Sequence, residues 1–200
     1  MKKKTPLLVI GSGGHFKSCV DIIEESKEYY IYGLISKYDR IGKKICGYQV
    51  LSQDDNYQNF FKKGVKNAFI AIGQLKDCNL RKKIFLKLKK NFFKLPIFIS
   101  KNSSVSINSK ISEGTIIHKH CHVGREVKIG KCSIINTASV VEHGCQIGNF
   151  CHISTSSTIN GNVEIGDDSF IGSGSVLSNN IKIKNKSFIK ISSTIIKSTK

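Results

Sequence analysis

A histidine set between an acid and a glycine, Glu142-His143-Gly144, is the residue of this chain best suited to moving a proton, and Gly161 follows it at eighteen residues. An imidazole titrates near neutrality, so it can take a proton from an attacking amine or hydroxyl. A glycine leaves open space above its neighbour and a bare backbone N–H that can hold the oxyanion of a tetrahedral intermediate. The pair has the makings of acyl transfer if the fold brings residues eighteen apart into contact. The plain alternative is a corner histidine facing solvent. A second stretch, Gly11-Ser12-Gly13-Gly14-His15, follows the apolar run Pro6-Leu7-Leu8-Val9-Ile10. Glycines between a strand and a helix let backbone N–H groups approach an anion. The turn shares part of G-x-G-x-x-G, a weak signal alone. A dinucleotide reading also wants an acid at the end of the next strand, and that end reads Ile35-Ser36-Lys37-Tyr38-Asp39. A phosphate-binding turn is the preferred reading, a structural turn the other.

His118, His120 and His122, with Cys121 among them, invite a metal reading. No carboxylate lies close in sequence and the three occupy different repeat positions, so we expect solvent-facing side chains and no metal. The seven cysteines form no C-x-x-C pair and are odd in number, which predicts reduced thiols and a cytoplasmic protein. The basic start Met1-Lys2-Lys3-Lys4 precedes an apolar run too short for a secretion signal, and nothing approaches a membrane span.

The elements that would position His143 are written in the spacing of the second half. From Val105, every sixth residue is aliphatic: Ile111, Ile117, Val123, Ile129 and so on without insertion to Ile195. A fixed period of six marks a parallel β-helix of hexapeptide repeats, one short strand and one corner per repeat. Three strands complete a coil, so residues eighteen apart stack at about 4.8 Å. Gly161 therefore lies directly above His143. His152 is half a coil from His143 and reaches it only across a subunit boundary. Asn136, one coil above His118, lies near the expected cleft as a candidate minor contact. Glycines after the aliphatic position, such as Gly124, Gly130 and Gly148, are expected to ease the turns. Cys121, Cys145 and Cys151 fall at small interior positions and read as packing residues.

The first half alternates strands and helices. Strands are predicted at Pro6–Ile10, Tyr29–Ser36 and Asn67–Gly73, and helices at 16–29 and 76–94, the latter with Leu80, Ile84, Leu88 and Phe92 on one side; Leu95–Ser100 is expected to close the unit. The fold class predicted is an α/β N-terminal domain with a small Rossmann-like parallel sheet over residues 1–100, followed by the β-helix over 101–200. The 32 Lys+Arg against 14 Asp+Glu give +18, suited to polyanions. The basic residues are dispersed, so nucleotides and coenzymes fit better than nucleic acid.

The segments INTASVVEHGCQIGNFCHIS and NGNVEIGDDSFIG, preceded by VIGSGGH and AIG, resemble the bacterial sugar acetyltransferases of the hexapeptide-repeat superfamily. The likeness covers nearly the whole chain and is strongest to the UDP-4-amino-sugar N-acetyltransferases and the sialic acid O-acetyltransferase group. It implies a left-handed β-helix, a homotrimer, and acetyl-CoA as co-substrate in a cleft between adjacent prisms. Carried over by position, it implies His143 as general base and Gly161 as the amide facing the thioester oxygen. It implies His152, Ser173 and Ile191 as acetyl-CoA contacts, Gly13, Gly14 and His15 as the turn for the substrate phosphate, and Gly73 at the strand end beside that turn. Three departures stand out. Gly144 occupies the place of an acid that follows the base. Ser36 and Lys37 replace paired acids that grip the nucleobase. The Gly-Asn-Pro-Ala segment near the coenzyme has no counterpart in the final Thr194-Ile195-Ile196-Lys197-Ser198-Thr199-Lys200. The expected partner is a nucleotide sugar; O-acetylation of a sialic acid-like sugar and a non-catalytic trimeric role in polysaccharide synthesis are the alternatives.

Overall fold

The computed structural model describes residues 4–54, 56–74 and 77–199. The chain divides into two units, one running to Gly73 and including Asn79–Pro96, the other made of Gln74–Cys78 and the chain from Ile97.

In the first unit β1 (Thr5–Ile10), α1 (Gly14–Glu24), β2 (Tyr29–Ile35), β3 (Lys44–Ile45), β4 (Tyr48–Ser52), α2 (Tyr57–Lys62), β5 (Asn67–Ile70) and α3 (Asn79–Lys90) follow one another. The sheet order is β3-β4-β2-β1-β5, parallel except for the antiparallel edge strand β3. β1 lies between two strands, with Val9 opposite Leu34 and Phe69. Leu7, Leu8, Val9 and Ile10 are all buried, the continuous apolar run that a strand covered on both faces requires. Phe16, Cys19, Val20, Ile22 and Ile23 are the buried side of α1. The β3–β4 hairpin turns through Cys46 and Gly47, both at positive φ, as a two-residue hairpin of primed type demands.

The apolar side expected of α3 is corrected. Ile84 and Leu88 are buried together with Arg81, while Leu80 and Phe92 are exposed. Steps of four residues drift by about 40° per step around a helix, which carries Leu80 off the covered stripe. Phe92 lies past the helix end, where its own φ is +63°.

The second unit is a left-handed β-helix. Two-residue strands recur every six residues from β6 (Phe98–Ile99) and β7 (Ser104–Val105) to β22 (Thr194–Ile195). They form three parallel sheets in which each strand pairs with those eighteen residues before and after, as Val141 does with Val123 and Ile159. β6 pairs with β9 (Ile116–Ile117), so the segment expected to close the α/β unit supplies the first rung instead. Ile99 is one repeat before Val105 and in phase with it. The aliphatic column is buried along the axis from Ile117 to Ile189, with Val105, Ile111 and Ile195 partly buried at its ends.

The three faces carry different outward columns. The first, through β6, presents Phe98, Ile116, Ile134, His152, Phe170 and Phe188; the second, through β7, Ser104, His122, Val140, Thr158, Val176 and Thr194; the third Lys110, Lys128, Gln146, Glu164 and Lys182. Ile116, Ile134, His152 and Phe170 are buried, so outward on that face does not mean exposed.

The corners have their own chemistry. Three residues past each aliphatic position from Ile111 to Ile189 the chain takes positive φ, as at Glu126, Ala138, Gly144, Ser156 and Asn162. The small residue after it turns inward and donates to a carbonyl of the next coil: Ser133 Oγ to Gly148 O at 2.8 Å, Cys145 Sγ to Asn160 O at 3.0 Å. The glycines expected to ease the turns do something else. Gly130 is not at positive φ; a Cβ there would stand 2.5 Å from the carbonyl carbon of Gly148 and 2.6 Å from Asn149 N. Close approach of the next coil's backbone is the constraint. Gly130→Ala is therefore expected to destabilise the prism by roughly 1–3 kcal/mol, read as a lowered urea midpoint; an unchanged midpoint would show that the coils can separate.

Candidate active site

His143 sits at the edge between the second and third faces, just past β13 (Val140–Val141). Its side chain is exposed, and its imidazole lies against Gly161. A Cβ on Gly161 would stand 2.6 Å from Cε1 and 2.7 Å from Nε2 of the ring, so only glycine leaves the imidazole this seat. The next residue fixes the register, since Asn162 N donates to His143 O at 2.9 Å. The N–H of Gly161 has no acceptor among the described residues, although Gly161 itself is buried. On the edge between the third and first faces the equivalent amides are capped: Lys131 N by Asn149 Oδ1, Asn149 N by Asp167 Oδ1, Asp167 N by Asn185 Oδ1. Buried backbone donors are nearly always satisfied, so an open one beside an imidazole points to a ligand acceptor. An imidazole and an open backbone N–H thus stand side by side.

Gly144, where the resemblance calls for an acid, has φ +71°, and a Cβ there would run into Asn162 Oδ1. The Asn162 carboxamide, held by a 3.2 Å bond to Asn180 Oδ1, fills the space above it.

Ser173 and Ile191 stack one coil apart on the edge between the first and second faces, Ser192 N donating to Ser173 O at 2.8 Å. Ser173 shares its hydroxyl with Ser154 at 2.8 Å, and Ile191 is exposed. One chain therefore places the His143–Gly161 pair and the Ser173–Ile191 pair on different edges.

His152, on β15 (His152–Ile153), is buried. Its Nδ1 donates to Gln74 O at 2.9 Å, because a carbonyl can only accept. That fixes the tautomer, leaving Nε2 to accept from Asn136 Nδ2 at 3.2 Å. The ring edge meets Phe170.

In the first unit Gly13 is extended at the N-cap of α1, and Gly14 and His15 open the helix. No acid lies in this first turn, so its N–H groups face an anion without competition. Gly73 lies beside His15, whose Cβ would be 3.4 Å from a Cβ at Gly73.

Residues 6–88 match the model of the PglD N-terminal domain, and residues 144–179 that of the bacterial transferase hexapeptide with six repeats. The first match falls in the α/β half of the chain and the second within the β-helix. Comparison with curated proteins gives no match. Among solved structures, a histidine-to-asparagine mutant of perosamine N-acetyltransferase from Caulobacter crescentus, in complex with CoA and GDP-perosamine, is similar at 24% identity and TM-score 0.89, covering 99% of this chain and 90% of that one. The acetyltransferase domain of PglB from Neisseria gonorrhoeae FA1090 is similar at 24% identity and TM-score 0.89, over 98% and 94%. WeeI from Acinetobacter baumannii AYE is similar at 22% identity and TM-score 0.73, over 96% and 94%.

Two features of this chain escape a reading of its sequence. The loop after β2, judged by Ser36 and Lys37 to lack its acid, has one at Asp39. Its carboxylate accepts from Ser12 at 2.5 Å, Ser36 at 2.9 Å and Lys43 at 2.7 Å. Those bonds, Lys43 first, hold the carboxyl down at about 2.

The second is His118, expected in solvent with His120 and His122. The latter two are exposed, but His118 is buried on the covered face. Burial first, and electrostatic coupling to the neighbouring His152 second, push its pKa down to about 4. The unfolded chain then binds a proton near 6.5 that the folded chain refuses until about 4. The stability contributed by keeping His118 neutral is whole above 6.5 and falls through that window, by about 3 kcal/mol. Urea unfolding at pH 7 and 4.5 should show a smaller loss in His118→Leu than in the parent; equal losses would contradict it.

Proposed function

We propose that the chain transfers the acetyl group of acetyl-CoA to the amine of a nucleotide-linked amino sugar. The observation that carries this reading is the His143 imidazole seated against Gly161 with the Gly161 N–H open. The amine nitrogen adds to the thioester carbonyl and gives its proton to His143. The carbonyl oxygen, now negative, is received by Gly161 N–H. The C–S bond then breaks, coenzyme A leaves as thiolate, and the proton held by His143 returns to it. No acyl-enzyme is needed. The nearest thiol, Cys145, is raised by burial and donates to Asn160 O, which makes it a poor nucleophile.

The similar structures support the reading: one is an N-acetyltransferase with CoA and GDP-perosamine bound, another an acetyltransferase domain in complex with acetyl-CoA, and two carry a substituted histidine. In this chain Ser173 and Ile191 contact the coenzyme, and Gly13, Gly14, His15 and Gly73 hold the sugar's diphosphate. His152 serves the coenzyme side by holding Gln74 and Asn136 in place. Because the two edge pairs lie apart on one chain, the working form is a homotrimer in which each cleft takes one edge from each of two copies. The seven cysteines, six of them buried, form no disulfide among the described residues, which fits the reducing cytoplasm. No described helix is long and apolar enough to cross a membrane.

The test is thiol release from acetyl-CoA with UDP- and GDP-linked 4-amino-4,6-dideoxy sugars and with N-acetylneuraminic acid. Release with an amino sugar is expected. Release with the sialic acid alone would replace the amine by a hydroxyl acceptor, and silence with all would favour the non-catalytic role.

A further inference from the structure

Asp39 lies beyond the residues that the likeness to sugar acetyltransferases assigns, and its bonds run to the glycine turn. Ser12 is the second residue of that turn, between Gly11 and Gly13. Ser12 and Ser36 are 2.6 Å apart, and both reach the Asp39 carboxylate. Two hydroxyl protons serve these three contacts. Ser12, with the shortest contact, donates to Asp39; Ser36 donates to Asp39 or Ser12, and its oxygen accepts Asp39 N–H at 3.2 Å. Ser36 is buried, Ser12 and Asp39 are half-buried, and Lys43 closes the triangle from the other carboxylate oxygen. Backbone bonds support the same junction: Gly11 N donates to Ile35 O at 2.9 Å and Ser36 N to Ser52 O at 3.0 Å. Gly11 has φ +111°, and a Cβ there would stand 2.8 Å from Ala71 O, so the turn is pressed against its neighbour and cannot drift freely.

We infer that Asp39 is a positioning residue: through Ser12 it fixes the glycine turn at the start of α1 so that the turn's amides converge on the diphosphate. This rests on the reading of that turn as the sugar-nucleotide site. The carboxylate is committed to two serines and a lysine, so its effect on the ligand passes through the diphosphate and is the same for any base. A carboxylate that read the base would favour one nucleotide.

The experiment is calorimetric titration of UDP and of GDP into the full chain, Asp39→Ala and Ser12→Ala, with steady-state kinetics on the same proteins. Each variant should weaken both nucleotides by a common factor of about tenfold, raise KM for the sugar nucleotide, and leave kcat and the KM for acetyl-CoA unchanged. Ser12→Ala keeps the Ser36 and Lys43 bonds of Asp39, so it remains informative if Asp39→Ala unfolds. Unchanged nucleotide affinity in the folded variants, or loss of one nucleotide only, would overturn the positioning role. If the unaltered chain binds neither nucleotide, the reading of the turn falls, and the clamp's role with it.

Discussion

His143→Ala should lower acetyl transfer by roughly 10²–10⁴-fold while acetyl-CoA still binds. The expectation follows from the proton inventory of the proposed reaction. The attacking nitrogen must lose a proton as it adds to the carbonyl, and His143 is the titratable side chain whose ring meets the open amide of Gly161. The ring is exposed, so its removal opens no cavity in the aliphatic column and the prism should melt as before. The measurement is kcat by thiol release, with acetyl-CoA affinity and thermal midpoint as controls. Undiminished kcat would remove His143 from the mechanism; a lost midpoint would make it a structural residue.

Gly161→Ala is the sharper test of geometry, because it removes no functional group. The added methyl would stand 2.6 Å from Cε1 and 2.7 Å from Nε2, so the ring must leave its seat. An exposed imidazole can do so at little cost to stability, and the amide N–H stays. A displacement of about 1 Å at the reacting group is worth roughly 10² in rate. We expect kcat to fall by about that factor, with the thermal midpoint nearly unchanged. Gly130→Ala should behave in the opposite way: its methyl meets backbone of the next coil, so stability falls and the His143 seat is untouched. Equal activity in Gly161→Ala and the parent would mean that the ring works from another position.

Much of this geometry is legible in the sequence because a β-helix converts spacing into contact. The aliphatic period gives the rungs, and the eighteen-residue offset alone puts Gly161 over His143. What the period does not give is the environment outside each coil. His118 looks solvent-facing by register, yet its face is covered. The signal was present in the outward column itself, where Phe98, Ile116, Ile134, Phe170 and Phe188 recur at eighteen. The glycines after the aliphatic positions were given the wrong cause, since the left-handed corner falls two residues later and is tolerated by Glu126, Asn162 and others. Asp39 was missed for a different reason. Loops obey no period, and an acid three residues beyond Ser36 is brought back to Ser12 only by the path of the chain after β2.

Transfer to the sugar amine is tested by the product formed when the chain, acetyl-CoA and an equal mixture of UDP- and GDP-linked 4-amino sugars are incubated together and resolved by mass spectrometry and NMR. The expected product is a sugar nucleotide heavier by one acetyl group, with that group on the amine nitrogen and equimolar coenzyme A released. Coenzyme A released by hydrolysis alone, or an acetyl group on oxygen with the amine left free, would contradict it.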